Sequence, residues 1–141
     1  MTNLEVIIQD IKEVVTGNYK LPMMIVVRSK YLHKFLGLYF PFGLILAFSY
    51  SDKPLLAHGI LHEINHDKKK KNDGLLRNYF SMLFNRSRVE KEVEANTNQD
   101  FNKLRSTKGY QVKPVEEAWA SNFYSDSKLT MSLIIDNGNI K

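Results

Sequence analysis

The sequence contains no cysteine. A disulfide scaffold is therefore excluded, and so is any zinc site built on thiolate ligands. A zinc ion in this chain would have to be held by histidine and carboxylate side chains. That combination of ligands is typical of catalytic rather than structural zinc sites.

Long hydrophobic runs are also absent. The most apolar stretch, residues 35–48, is about 14 residues long and is interrupted by Pro41 and two glycines. It is too short to span a bilayer, and buried strands explain it better. The first nine residues lack the basic-then-apolar order of a signal peptide, because acidic Glu5 interrupts them. We therefore expect an intracellular, cytoplasmic protein with no membrane partner.

Size and composition predict one folded domain over residues 1–141. Of the 141 residues, 43% are hydrophobic and 25% are charged, which is ordinary for a globular protein. The formal net charge is +5, and the four consecutive lysines from Lys68 to Lys71 supply most of it. We interpret residues 67–73 as a solvated loop, with a nucleic-acid contact as the weaker alternative.

Hydrophobic periodicity predicts helices both before and after a group of strands. The predicted order is helix 4–15, strands 21–27, 38–40 and 44–48, helices 55–67, 75–84 and 89–104, a helix from Pro114, and strand 129–135. Residues 96–99 are poor helix formers, so a break is expected there. This order predicts an α+β fold.

Residues 62–66 carry the clearest chemical motif. They read His62-Glu63-Ile64-Asn65-His66, an H-E-x-x-H sequence within a predicted helix. Residues four apart share a helix face, so the two histidines can offer their imidazoles to one metal ion. Glu63 would lie beside the open coordination position, where a carboxylate can deprotonate water. The contrasting interpretation is a helix at the edge of the core whose histidines only form hydrogen bonds.

A catalytic zinc site needs a third protein ligand. Glu92 and Glu117 are each followed three residues later by alanine, a small residue that lets one helix approach another. We prefer Glu92, because Asn96 lies one turn later and could hydrogen-bond a ligand imidazole. The remaining nearby glutamates are interpreted as surface charge, namely Glu90, Glu94 and Glu116.

The sequence of elements resembles that of the gluzincin type of zinc metallopeptidase. Segments 56–58, 62–66 and 90–96 are similar to the small ImmA/IrrE-like metallopeptidases of phages and mobile elements, in which E-x-x-A-N/D follows H-E-x-x-H. The resemblance implies a zincin-like fold, in which a small mixed or antiparallel sheet packs on the H-E-x-x-H helix and further helices follow. It also implies Zn²⁺ on His62, His66 and Glu92, with Glu63 as the catalytic base. The substrate would be a protein or peptide, added to an open strand edge near residues 44–50.

Three alternatives stay open. The family's L-A-H-E-x-x-H can also be aligned with residues 56–62, which puts Gly59 in place of the base and implies an inactive or metal-binding relative. A SprT-like metallopeptidase is the second family, since Gly37-x-Tyr39 precedes the helix, although no histidine follows His66. The third alternative is a small basic accessory protein without enzymatic activity, which would bind nucleic acid or a protein.

Overall fold

The computed structural model describes residues 3–17, 19–28, 37–41, 43–48, 53–110, 130–136 and 138–140. These residues form four α-helices and one mixed sheet, which confirms the α+β class. The elements are α1 (Asn3–Ile11, continued by a π-helical turn over Lys12–Thr16), β1 (Met23–Arg28), β2 (Gly37–Phe40), β3 (Leu44–Phe48), α2 (Lys53–Asp73), α3 (Leu75–Phe84), α4 (Arg86–Lys108), β4 (Thr130–Asp136) and β5 (Asn139–Ile140). None of the described helices has both the length and the apolar composition that crossing a membrane requires. The predicted helix from Pro114 lies outside the described residues.

The five strands are arranged in the order β2-β3-β1-β4-β5. β1 and β3 are parallel, whereas the other three neighbouring pairs are antiparallel. β2 and β3 form a hairpin that is closed by Gly43, whose amide donates to the Phe40 carbonyl at 2.9 Å. The predicted open edge is wrong over residues 44–48, because β3 is paired on both sides; residues 49 and 50 lie outside the described part of the chain. The outermost strand of the described sheet at that end is β2.

The core lies between the sheet and helices α1 and α2. Apolar residues of α2 recur at helical spacing and are almost completely buried against the strands. They are Leu56, Ala57, Ile60, Leu61 and Ile64. The expected burial of this side of the H-E-x-x-H helix is confirmed, and its opposite side carries the histidines toward α4.

Helix α2 does not end at the lysine run. It continues through all four lysines to Asp73, and Gly74, with φ 88°, ends it. The predicted loop over residues 67–73 is therefore wrong. The reason is that the lysines have partners: Lys69 pairs with Asp73, and Lys71 lies over the Tyr19 ring at 4.5 Å from its centre. These contacts reduce the repulsion that adjacent positive charges would otherwise exert within a helix.

Helix α4 is continuous through residues 96–99, where a break was expected. Thr97 is completely buried and donates its hydroxyl to the Val93 carbonyl at 2.7 Å. From α2, the Asn65 amide donates to Asp100 Oδ2 at 3.1 Å and to Thr97 Oγ1 at 3.3 Å. Buried polar groups are costly unless they are paired, so this network specifies one alignment of α4 on α2.

Candidate metal centre

Three histidines on α2 face three polar residues on α4. The histidines are four residues apart and share one side of their helix, and the facing residues Glu90, Glu94 and Asn98 have the same spacing. The two helices run in opposite directions, so His58 lies at the Asn98 end and His66 at the Glu90 end. His58 Nε2 is 3.4 Å from Asn98 Oδ1 and 3.7 Å from Glu94 Oε1.

The tightest group consists of His62, His66 and Glu90. One donor atom from each lies within 4.8 Å of the others. Both His62 Nε2 and His66 Nε2 are 3.4 Å from a Glu90 carboxylate oxygen, Oε2 and Oε1 respectively. The His66 side chain is 11% exposed, and its burial lowers its pKa although Glu90 opposes that shift. The neutral imidazole, which is the form that binds metals, is thereby favoured.

The two imidazole–carboxylate distances are compatible with ligands around one ion. Charge-assisted hydrogen bonds between nitrogen and oxygen usually measure about 2.7–2.9 Å, so contacts of 3.4 Å are long for direct bonds. Ligands bound at 2.0–2.2 Å in a tetrahedron lie about 3.3–3.5 Å from one another. Two histidines and one glutamate also form a donor set of catalytic zinc sites. The residues present therefore fit a zinc ion.

Glu92, the predicted third ligand, is not brought to the imidazoles. Its carboxylate is exposed on another side of α4 and accepts a bond from Lys69 Nζ at 2.6 Å, which lowers its pKa. Two residues along a helix correspond to a rotation of about 200°, so Glu90 and Glu92 cannot face the same partner. Glu90, which was interpreted as surface charge, replaces Glu92 in the candidate ligand set. Glu117, the alternative, lies outside the described residues.

Glu63 is buried beside this group. Its residue is 7% exposed, and burial together with the negative charge of Glu90 raises its pKa to about 7. It packs beneath the first residue of β2. A Cβ atom added to Gly37 would lie 2.9 Å from Glu63 Cγ and 3.3 Å from the Leu46 carbonyl oxygen. The outermost strand thus passes over the predicted base at a distance that only glycine allows.

Replacing Gly37 by alanine should therefore displace Glu63 without touching the three metal-ligand candidates. If Glu63 is the base of a peptidase, as the motif predicts, hydrolysis by this variant should fall by up to about 100-fold, because a displacement of about 1 Å in a catalytic group can reduce turnover by that much. Turnover of a peptide substrate and bound zinc should be measured on the same preparation. Unchanged zinc with reduced turnover is the expected result. Wild-type turnover in Gly37→Ala would show that the close approach of β2 to Glu63 does not matter.

Tyr39 supports His66 from β2. Its ring lies parallel to the imidazole, with planes 5° apart and centres separated by 6.3 Å. Its hydroxyl donates to Asp67 Oδ1 at 2.5 Å, and the Tyr19 hydroxyl donates to the other oxygen of the same carboxylate. Asp67 is completely buried, and Lys71 Nζ lies 3.2 Å from it. Sequence reasoning missed this support because the residues are far apart in the chain and match no local pattern.

A cleft of about 250 Å³ opens in front of the candidate ligands. Helix α2 forms its floor, β2 forms one wall, and α3 with the start of α4 forms the other. The lining residues are Leu38, Tyr39, Pro41, His62, Glu63, His66, Asn78, Met82, Arg86 and Glu90. The candidate ligands and the predicted base thus share one open cleft beside the outermost strand.

No family model, curated protein or solved structure matches this chain. The resemblance to small zinc metallopeptidases therefore depends on the sequence motifs alone.

Proposed function

We propose that this protein is a zinc-dependent metallopeptidase in which His62, His66 and Glu90 bind the metal and Glu63 is the general base. The main support is the meeting of the intact H-E-x-x-H helix with a carboxylate from a second helix inside an open cleft. When bound, a zinc ion supplies Lewis acidity toward water and toward a substrate carbonyl.

Glu63 suits the role of base in both position and pKa. Its carboxylate lines the same cleft as the two imidazoles, and its pKa of about 7 is near the pH at which a cytoplasmic enzyme works. In this proposal it accepts a proton from the attacking water and then delivers that proton to the departing amine. The glycine at position 37 leaves room for the carboxylate below the strand.

The substrate is an extended protein or peptide segment bound along β2. An outermost strand offers unpaired backbone groups to which a peptide can add by β-pairing. Leu38, which is 41% exposed, and Tyr39 line the cleft from this strand. A peptide paired there would run directly past Glu63.

The zincin-like packing is part of the same proposal. A mixed sheet on the H-E-x-x-H helix, with an antiparallel outer strand beside Glu63, supports it. The His62/His66 alignment of the motif is favoured over the His58/His62 alignment. Among the described residues, His62, His66 and Glu90 form the one group of three whose donor atoms lie close enough for a metal.

Metal removal tests the proposal on the unmodified protein. Protein prepared with zinc should hold about one ion per chain, and a chelator should remove both the ion and the hydrolysis of an unfolded protein substrate. Restoring zinc should restore hydrolysis. Metal-free protein from a zinc-supplemented preparation would favour the non-enzymatic accessory protein, in which the histidine–glutamate contacts serve only as ion pairs.

A further inference from the structure

Helix α3 turns its apolar side away from the protein. Its predicted bounds, 75–84, are confirmed. Asn78, a polar residue, is buried, whereas Leu76 and Phe84 are 72% and 76% exposed. The exposed apolar residues of the helix, here called the α3 face, are Leu75, Leu76, Tyr79, Phe80, Leu83 and Phe84.

The α3 face is one continuous surface rather than scattered side chains. At about 100° per residue its six members cover half of the helix circumference. Phe80 contacts the rings of both Tyr79 and Phe84, at centre distances of 5.8 and 6.3 Å. The three aromatic residues are 53–76% exposed, and with about 200 Å² for each such side chain they alone expose roughly 370 Å². Apolar patches of this size on a protein surface usually mark a binding site.

The segment that carries the α3 face is basic. Residues 75–89 contain three arginines and no acidic residue, whereas Lys69, Lys70 and Lys71 are already paired with carboxylates of α2 and α4. Arg77 borders the face on α3 itself and Arg88 follows near the start of α4, both of them exposed, whereas Arg86 lines the cleft. Helix α3 has no acidic residue.

This charge argues against a second copy of the chain as the partner. A twofold pairing of two α3 faces would bring the bordering arginines of both copies together, without a carboxylate on either helix to compensate. Nucleic acid would match the charge and would find aromatic rings to stack on in Tyr79, Phe80 and Phe84, but it would leave the three leucines of the face in contact with water. A partner that is both apolar and anionic fits better.

We propose that the α3 face docks on an anionic lipid membrane. Its leucine and aromatic side chains enter the boundary between headgroups and acyl chains, while Arg77 and Arg88 contact lipid phosphates. A helix with an apolar side and a basic border is typical of proteins that lie on a membrane without crossing it. From the sequence we expected no membrane partner, whereas this proposal has the protein bind the membrane surface without crossing it. It does not depend on the proposed peptidase activity.

Sedimentation with lipid vesicles tests the proposal. We expect the full chain to sediment with vesicles of phosphatidylcholine and phosphatidylserine, more weakly with phosphatidylcholine alone, and less as salt is raised. The double variant Leu76→Gln/Phe84→Gln should bind at least about tenfold more weakly, because both side chains are lost from the apolar contact. Both positions are exposed, so the fold should be retained, as circular dichroism can verify.

The matched control replaces two exposed apolar residues of the sheet. Met23 and Leu133 are 37% and 38% exposed, and Met23→Gln/Leu133→Gln should bind vesicles like the wild type. Equal binding by the α3 variant, or no binding of the wild type to anionic vesicles at low salt, would overturn the proposal. Two other results would also overturn it, if the protein does not sediment with vesicles. One is a wild-type dimer that the α3 variant cannot form, and the other is a DNA complex that the α3 variant cannot form.

Discussion

Replacing Glu90 by glutamine is expected to lower the affinity for zinc by at least about 100-fold. Removing a group that only supports a metal ligand through a hydrogen bond typically lowers the metal affinity by about 10–100-fold. Removing a direct ligand should therefore lower it further. The carboxylate of Glu90 has one oxygen 3.4 Å from His62 Nε2 and the other 3.4 Å from His66 Nε2. A neutral amide keeps the size of that side chain but is a poor zinc ligand.

The matched control is Glu92→Gln on the same helix. Its carboxylate pairs with Lys69 and is not near the imidazoles, so zinc affinity should be nearly that of the wild type. Competition with a chromophoric chelator measures both affinities, and Glu117→Gln extends the comparison to the other glutamate that the sequence suggested. Loss of zinc from Glu92→Gln or Glu117→Gln but not from Glu90→Gln would show that the ligand set is wrong.

The histidine pair could be predicted because it depends on one helix alone. Four residues make about one turn, so any helix over residues 62–66 places both imidazoles on one side. The third ligand depends on how a second helix is rotated about its axis. Glu92 matched a family motif, whereas the structure turns Glu90 inward. The narrow buried stripe of α4 holds the signal. At about 100° per residue, Glu90 lies about 45° from the mean direction of its apolar residues, whereas Glu92 lies about 115° from it; these apolar residues are Val89, Val93, Phe101 and Leu104.

Contacts that lie outside a helix also account for the other features that the sequence did not predict. The periodicity of residues 75–84 identified the helix, but it could not say whether the apolar side meets the core or an external partner. The lysine run was interpreted as a loop because the partners of Lys69 and Lys71 are distant in sequence. Polar residues at 96–99 looked unfavourable for a helix. Thr97 is nevertheless tolerated because its hydroxyl bonds the Val93 carbonyl and Asn65 bonds it from α2.

Glu63→Gln is expected to reduce peptide hydrolysis by about 10²–10⁴-fold, the usual contribution of a general base, while zinc stays bound. Glutamine has nearly the same size and can occupy the space beneath Gly37, but it cannot accept a proton from water. The measurement is turnover at saturating substrate together with zinc content, and Glu92→Gln is the control for loss of a carboxylate elsewhere. This variant also separates the two alignments of the motif, since only the His62/His66 alignment makes Glu63 the base. Full turnover in Glu63→Gln would therefore refute that alignment even if zinc is bound.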